Sequence, residues 1–311
     1  MDTLSSVTAA IDGDIGRWRS QRIKRIRAVL DTRRAAAFRQ QGAGSPNPGN
    51  ASLEFAIAHH RLEGAEAAAR ASDAEALGWY RQSRIDSFDS LRLPATGHLV
   101  PAVDPVHMET SQLSDTPYYL LGPSSTVASA ELLKLTSAAV HAGSEHGFGP
   151  LISRHAPVIC LLRRCALGEP MASWSTTRLP GTVFTDHVDE PLVLARDLVH
   201  EAGHNWLNAA LSARNVTLPD EPHYDSPWKE QPRPPFGFLH ACWAFPLTML
   251  LAAAVLAETD GPVAPFLTGY LEKQKAMLAQ TDKTHEDAVE LVTDAELRSV
   301  LCSIYAKARS L

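Results

Sequence analysis

Residues 195–211 constrain the fold of this chain more than any other segment. They contain His200-Glu201-Ala202-Gly203-His204 in a run whose other positions are mostly Leu, Val, Ala and Trp. The apolar positions recur at helical spacing and cover most of the circumference, which predicts a helix buried on several sides. Burying two histidines and a glutamate there is costly unless a partner pairs with them. The segment therefore predicts a central helix whose polar side chains form a binding site.

The spacing of the two histidines suits a metal ion. His200 and His204 lie four residues apart, so they share one face of a helix, about one turn apart. Glu201 lies roughly 100° around the helix from His200, where it can hold a water molecule or another ligand beside the ion. The pentapeptide alone is weakly specific, because HExxH also occurs by chance on charged, solvated helix faces. Its apolar context favours the metal.

A catalytic metal site usually has three protein ligands and an open position, so a third ligand is expected downstream. The metzincin continuation is excluded, because Leu207 and Ala210 stand where it needs Gly and His. We favour His240, which begins an apolar helical stretch at residues 239–257 where an unpaired histidine would be poorly placed. The alternative is a core histidine bonded to a backbone carbonyl. The other candidates lie in a Pro-rich loop that solvent can reach: Glu221, His223, Asp225 and Glu230.

The composition is that of an ordinary soluble protein with enough residues for a large core. The chain has 311 residues, 45% of them hydrophobic and 21% charged, and a formal net charge of −6. That charge gives no general reason to bind nucleic acid or a membrane. Basic side chains concentrate at residues 17–39, which indicates a solvated helix face or, alternatively, a docking surface for an acidic peptide.

Cysteine spacing and the N-terminal sequence indicate a cytoplasmic location. The four cysteines show no C-x-x-C spacing, so reduced thiols are expected. No basic region followed by an apolar core, as in a secretory signal, is evident at the start. The longest apolar run, residues 247–257, is too short to span a bilayer. Apolar helical surface at the C-terminus fits a core or a dimer equally well, so the oligomeric state stays open.

The pattern along the chain predicts a mostly α protein with a small β element (α+β), a single globular metalloenzyme built around the HExxH helix. Residues 42–52 are expected to break the first helix, residues 91–121 to form loops and short extended pieces, and Pro246 to kink or interrupt its helix. We assign residues 1–110 to a helical region that could dock substrate and 111–311 to a metal-binding catalytic domain. Helices are predicted at residues 15–41, 53–90, 126–147, 264–280 and 294–310, and strands at 158–162 and 182–185.

Several short motifs lie between residues 174 and 245. They are Leu179-Pro-Gly-Thr-Val-Phe184, the HExxH pentapeptide, Ser226-Pro-Trp-Lys229, Arg233-Pro-Pro-Phe-Gly237 and Leu239-His240. Together they resemble the HExxH-motif peptide-modification family found with ribosomally made peptide natural products. Members of that family include iron(II)- and 2-oxoglutarate-dependent peptide β-hydroxylases. The family commonly has arginine where this chain has Lys229, and residues 1 to about 110 match only in being helical and rich in Ala and Arg.

The resemblance implies a particular metal chemistry. His200, His204 and His240 would hold iron(II), with 2-oxoglutarate and O2 at the remaining positions. Glu201 would tune a histidine or a bound water, or bind the metal itself. The motif by itself predicts a zinc peptidase instead, in which Glu201 takes a proton from a metal-bound water that attacks a carbonyl. A metal-free protein that only recruits a peptide is a third class, which the intact motif disfavours.

The distal carboxylate of 2-oxoglutarate needs a cation, and a guanidinium can make two parallel charge-assisted bonds to it. Arg233 is the first candidate, because it lies between the metal ligands in a loop that must fold back over the site. Lys229 is the second, and for either residue the alternative is a surface charge.

The expected partner is a precursor peptide, hydroxylated at the β-carbon of a side chain. Trp228 is expected to anchor the loop by packing, with a wall of the substrate pocket as the alternative. An extended edge beside the site, where a peptide could add as a strand, is predicted from Ser173, Ser175 and Arg178.

Overall fold

The computed structural model describes residues 4–31, 48–111, 114–229 and 231–311. Of these residues 62% are helical and 10% are in strands, which form two small sheets. The prediction of a mostly α fold with a small β element is therefore confirmed.

The chain divides into two compact units that are interleaved in sequence. The motif unit comprises Met1–Ile15, Ala138–Ile152 and Glu190–Leu311, and the sheet unit comprises Gly16–Ser137 and Ser153–Asp189. The prediction of a substrate-docking region at residues 1–110 and a catalytic domain at 111–311 concerns function, and it stays a prediction.

Ten α-helices and five strands are assigned in the described ranges. The helices are α1 (Leu4–Leu30), α2 (Pro48–Arg70), α3 (Ala74–Gln82), α4 (Ala130–Glu145), α5 (Gly149–His155), α6 (Pro191–Ala213), α7 (Pro235–Leu256), α8 (Val263–Leu278), α9 (Asp282–Val289) and α10 (Ala295–Arg309). The strands are β1 (Glu109–Ser111), β2 (Ser114–Tyr118), β3 (Val158–Arg164), β4 (Ser173–Ser175) and β5 (Thr182–His187). Short 3-10 helices cover Ile85–Leu91, Pro105–His107 and Ala279–Thr281.

The larger sheet has the strand order β3-β5-β4, with β3 parallel and β4 antiparallel to β5. All residues of the central strand β5 are buried, as expected for a strand paired on both edges and covered on both faces. The strands predicted at residues 158–162 and 182–185 are confirmed as β3 and β5. The smaller sheet is the antiparallel pair β1-β2.

Several helix boundaries differ from the predictions. α1 begins at Leu4, before the predicted start at residue 15, and its predicted end lies outside the described residues. α2 begins at Pro48, inside the stretch expected to break the helix; proline is well tolerated in the first helical turn. The helical region predicted at residues 53–90 is divided, because Ser72 has a left-handed φ of 56° and Asp73 caps α3.

Helix α7 runs without interruption through Pro246, so the predicted interruption is not observed, and a kink at this residue stays a prediction. The helix packs against α6, α8 and α10, and this tertiary packing outweighs the one backbone hydrogen bond that proline removes. α7 is also long and apolar enough to cross a membrane, but 67% of its most apolar window is buried inside the protein. A buried core helix has the same composition, and the finding is consistent with a soluble protein.

Candidate metal centre

A glycine in the motif lets helices α6 and α7 approach closely. A Cβ atom added at Gly203 would lie 2.9 Å from Leu247 Cδ1. Trp243 donates its indole N–H to the Gly203 carbonyl at 3.0 Å, and its ring stacks on Trp206 with centroids 4.5 Å apart. The two helices that carry the candidate metal ligands therefore approach each other closely at this small residue.

The motif side chains form a candidate ligand group. Within the described ranges, His200, Glu201 and His204 place their ligand atoms within 4.8 Å of one another. The Nε2 atoms of the two histidines are 3.1 Å apart, and their rings meet edge to face. Two nitrogens about 2.1 Å from one ion lie about 3.0–3.4 Å apart at octahedral or tetrahedral angles. The observed separation fits a shared ion.

His240 lies on the other side of the His204 ring. The two Nδ1 atoms are 2.9 Å apart, whereas His204 Nε2 is the atom that faces His200. An ion on His204 Nε2 would leave its Nδ1 bonded to His240, which would then orient the ligand rather than bind the ion. His240 Nε2 is buried and has no hydrogen-bond partner in the described part of the chain. Direct ligation by His240 stays a prediction.

The other candidate third ligands lie apart from this group or outside the described residues. Glu221 and His223 are exposed and bond to each other at 2.8 Å. Asp225 is exposed, and Glu230 lies outside the described residues. None of the three described candidates belongs to the ligand group around His200.

The three histidines are held in the neutral form. Burial lowers the pKa of His204 to about 4. Burial also lowers the pKa values of His200 and His240 well below the ordinary value, and the neighbouring His204 adds to both shifts. Neutral imidazoles offer the lone pair that a metal ion requires. The residues present therefore fit a divalent metal without prior loss of protons from the histidines.

Positive charges surround the histidines. Arg196 and Lys229 contribute to lowering the pKa of His200, and Arg233 contributes to lowering that of His240. The Arg233 guanidinium packs on Gly237, where an added Cβ would lie 2.9 Å from Nε. Neither Lys229 nor Arg233 forms an ion pair within the described residues. Their charges are therefore available to an anionic ligand.

Arg196 is the site residue that sequence reasoning missed. Its side chain is only 11% exposed and pairs with Asp197. The sequence feature that could have identified Arg196 is its position four residues before His200, which places it on the same face of α6. A basic residue in a helix ordinarily indicates a solvated face, so its burial could not be read from the local sequence.

Aromatic residues enclose the histidines. Phe245 packs against His200 with centroids 4.7 Å apart, and Trp228 stacks on Phe245 at 4.8 Å. Trp228 also donates its indole N–H to Gln274 at 2.7 Å, so it anchors its loop; a direct role toward substrate stays a prediction. Phe236 packs against His240 at 4.3 Å and is 43% exposed.

The residues predicted to form a substrate edge lie in the sheet unit. Ser173 and Ser175 belong to β4, which is an edge strand paired with β5. Arg178 is ion-paired with Glu63 and lies over the ring of Tyr118 at 5.2 Å. A role of these three residues in binding a peptide stays a prediction.

A scan of the chain against models of known protein families finds no match, and a search of curated proteins finds no similar sequence. The likeness to the HExxH peptide-modification family therefore rests on the short motifs alone.

Proposed function

We propose that this protein is an iron(II)- and 2-oxoglutarate-dependent dioxygenase that hydroxylates a side-chain β-carbon of a ribosomally made precursor peptide in the cytoplasm. The observation that carries the proposal is the group of two histidines and one carboxylate, His200, His204 and Glu201, with ligand atoms within 4.8 Å. Two histidines and one carboxylate with open positions are the usual ligand set of non-haem iron oxygenases. The motif resemblance at residues 174–245 supports the same chemistry.

His200 and His204 would hold the iron. The sequence predicts His240 as the third ligand, whereas the position of its Nδ1 beside His204 Nδ1 favours Glu201 in that role and His240 as an orienting residue. The neutral state of the histidines favours metal binding at physiological pH. Glu201 is 1% exposed, and a buried carboxylate is stabilised by a nearby cation such as a metal ion. As the third ligand, Glu201 would complete a set of two histidines and one carboxylate on one face of the metal. If it lies next to the metal without binding it, Glu201 would orient a bound water.

The charges around the site favour an anionic cofactor. Arg196, Lys229 and Arg233 lie close enough to affect the histidine pKa values, and Glu201 and Asp197 are the acids described beside them. The surplus positive charge suits 2-oxoglutarate, which carries two carboxylates. The sequence alone names Arg233 first and Lys229 second as candidates to bind its distal carboxylate.

When bound, iron(II), 2-oxoglutarate and O2 supply an oxidant that places one oxygen atom on a substrate carbon and leaves succinate and carbon dioxide as the coproducts. The aromatic wall of Phe245 and Trp228 would keep water away from the His200 side of the site. The exposed ring of Phe236 offers an apolar contact for a peptide beside His240.

A zinc-dependent peptidase is the second candidate, because Glu201 lies beside both histidines and could take a proton from a bound water. A surplus of basic side chains is less expected in a zinc peptidase site than in a 2-oxoglutarate site, because a neutral peptide bond brings no carboxylate to the metal.

The direct test of the proposal is product analysis. Short peptides encoded beside the gene are co-expressed with the protein and examined by mass spectrometry. The proposal predicts a mass gain of one oxygen atom on a side chain, which disappears with His200→Ala and persists with His141→Ala, a change at a 73% exposed histidine. Cleaved peptides without added oxygen would support the peptidase instead.

A further inference from the structure

The guanidinium of Arg196 is held in place on three sides. Asp197 Oδ1 accepts a hydrogen bond from Nε at 2.8 Å and forms an ion pair with Nη2 at 2.7 Å. The rings of Tyr270 and Phe266 lie 4.9 Å and 5.5 Å from the guanidinium carbon. The Tyr270 ring is itself fixed, because its hydroxyl bonds to Thr248 at 2.6 Å. The position of this cation is therefore set before any ligand arrives.

One edge of this guanidinium remains available. Asp197 occupies the edge formed by Nε and Nη2, and Nη1 has no hydrogen-bond partner among the residues that the structure describes. The edge formed by Nη1 and the second hydrogen of Nη2 matches the two oxygens of a carboxylate. A buried arginine whose main ion pair uses only one edge is suited to bind a second carboxylate.

Arg196 lies on the metal-binding face of the helix. It precedes His200 by four residues, which places both side chains on the same face of α6. Its charge contributes to lowering the pKa of His200. From these observations we infer that Arg196 binds the distal carboxylate of 2-oxoglutarate, an inference that rests on the proposed function.

The other two cations are less suited to this role. Lys229 is exposed, and its ammonium is a strongly hydrated point charge. Arg233 is partly exposed and lies two residues before the start of α7, with its guanidinium against Gly237. The Arg196 side chain is only 11% exposed, and a charge-assisted bond is stronger where water is excluded. Arg233 and Lys229 would then remain for the peptide.

The test measures binding rather than turnover. Iron(II)-loaded protein is titrated without oxygen, once with 2-oxoglutarate and once with 2-oxopentanoate, in which a methyl group replaces the distal carboxylate. Arg196→Lys keeps a positive charge beside Asp197 but removes the two parallel N–H donors of the guanidinium. A second variant, Arg196→Met with Asp197→Asn, removes the pair together, so that no buried acid is left alone. Arg233→Met tests the competing candidate for the distal carboxylate. A retained metal stoichiometry shows that each variant is folded.

The inference predicts that the native protein binds 2-oxoglutarate about 10- to 100-fold more tightly than 2-oxopentanoate. This preference should disappear in the double variant, shrink in Arg196→Lys and persist in Arg233→Met. Loss of the preference in Arg233→Met alone would overturn the inference and leave the proposed function standing. A metal-loaded native protein that binds neither keto acid would overturn both.

Discussion

Replacing His240 by alanine tests how the third histidine serves the metal. In the structure His240 Nδ1 lies 2.9 Å from His204 Nδ1, while the other nitrogen of His204 faces His200. A group that orients a metal-bound histidine through its second nitrogen typically changes metal affinity by about 10- to 100-fold when removed. That range corresponds to about 1.4–2.7 kcal/mol of binding free energy. We therefore expect His240→Ala to weaken metal binding by this amount without abolishing it.

The assay is competition of metal-free protein with a chelator for zinc and for cobalt(II), with circular dichroism to verify the fold. His200→Ala and His204→Ala are the reference variants, and both should lose stoichiometric binding. His240→Gln should recover part of the affinity, because its amide oxygen can accept the His204 N–H. If His240→Ala loses the metal as completely as His200→Ala does, the orienting role is refuted and His240 is a direct ligand.

Two further predictions concern stability. Gly203→Ala should change the free energy of unfolding by less than about 1 kcal/mol, because the added methyl meets only the end of the Leu247 side chain at 2.9 Å and helix propensity improves. Gly203→Val should lower the free energy of unfolding by about 1–3 kcal/mol in urea titrations and should weaken metal binding. Equal stability of the two variants would contradict the close approach of α6 and α7. Burial lowers the pKa of His285 to about 4. Between pH 6.5 and about 4 the unfolded chain therefore binds a proton that the folded protein does not. The free energy of unfolding should decrease as the pH falls through this range. His285→Phe keeps a ring beside Tyr305, on which His285 stacks, and should reduce the slope of unfolding free energy against pH by up to about 1.4 kcal/mol per unit; an unchanged slope would refute the assignment.

The elements predicted best are those with a strong local pattern. The HExxH helix was predictable because its apolar residues follow the helical period, and the strands β3 and β5 because each contains a short run of apolar and β-branched residues. The break between α2 and α3 was missed, because it depends on a left-handed Ser72 that a polar, Ala-rich helical pattern does not reveal. At Pro246 the sequence predicted a kink or an interruption, and the interruption is not observed, since packing of α7 against its neighbours maintains the helix.

The candidate site was predictable in its residues and less so in its arrangement. The four-residue spacing predicts that His200 and His204 share a face, and this is a property of the helix alone. Which nitrogen of His204 meets His240 depends on side-chain rotation between two helices, and sequence spacing contains no such information. Arg196 was missed because the rings that bury it, Phe266 and Tyr270, come from α8, far along the chain.

The most direct test of the proposed chemistry is an anaerobic titration of iron(II) and 2-oxoglutarate into the metal-free protein, monitored by visible absorption. The account predicts a saturable charge-transfer band that is absent in His200→Ala and retained in His141→Ala. Absence of the band in the native protein, together with one tightly bound zinc ion per chain as purified, would contradict the oxygenase and favour a zinc peptidase.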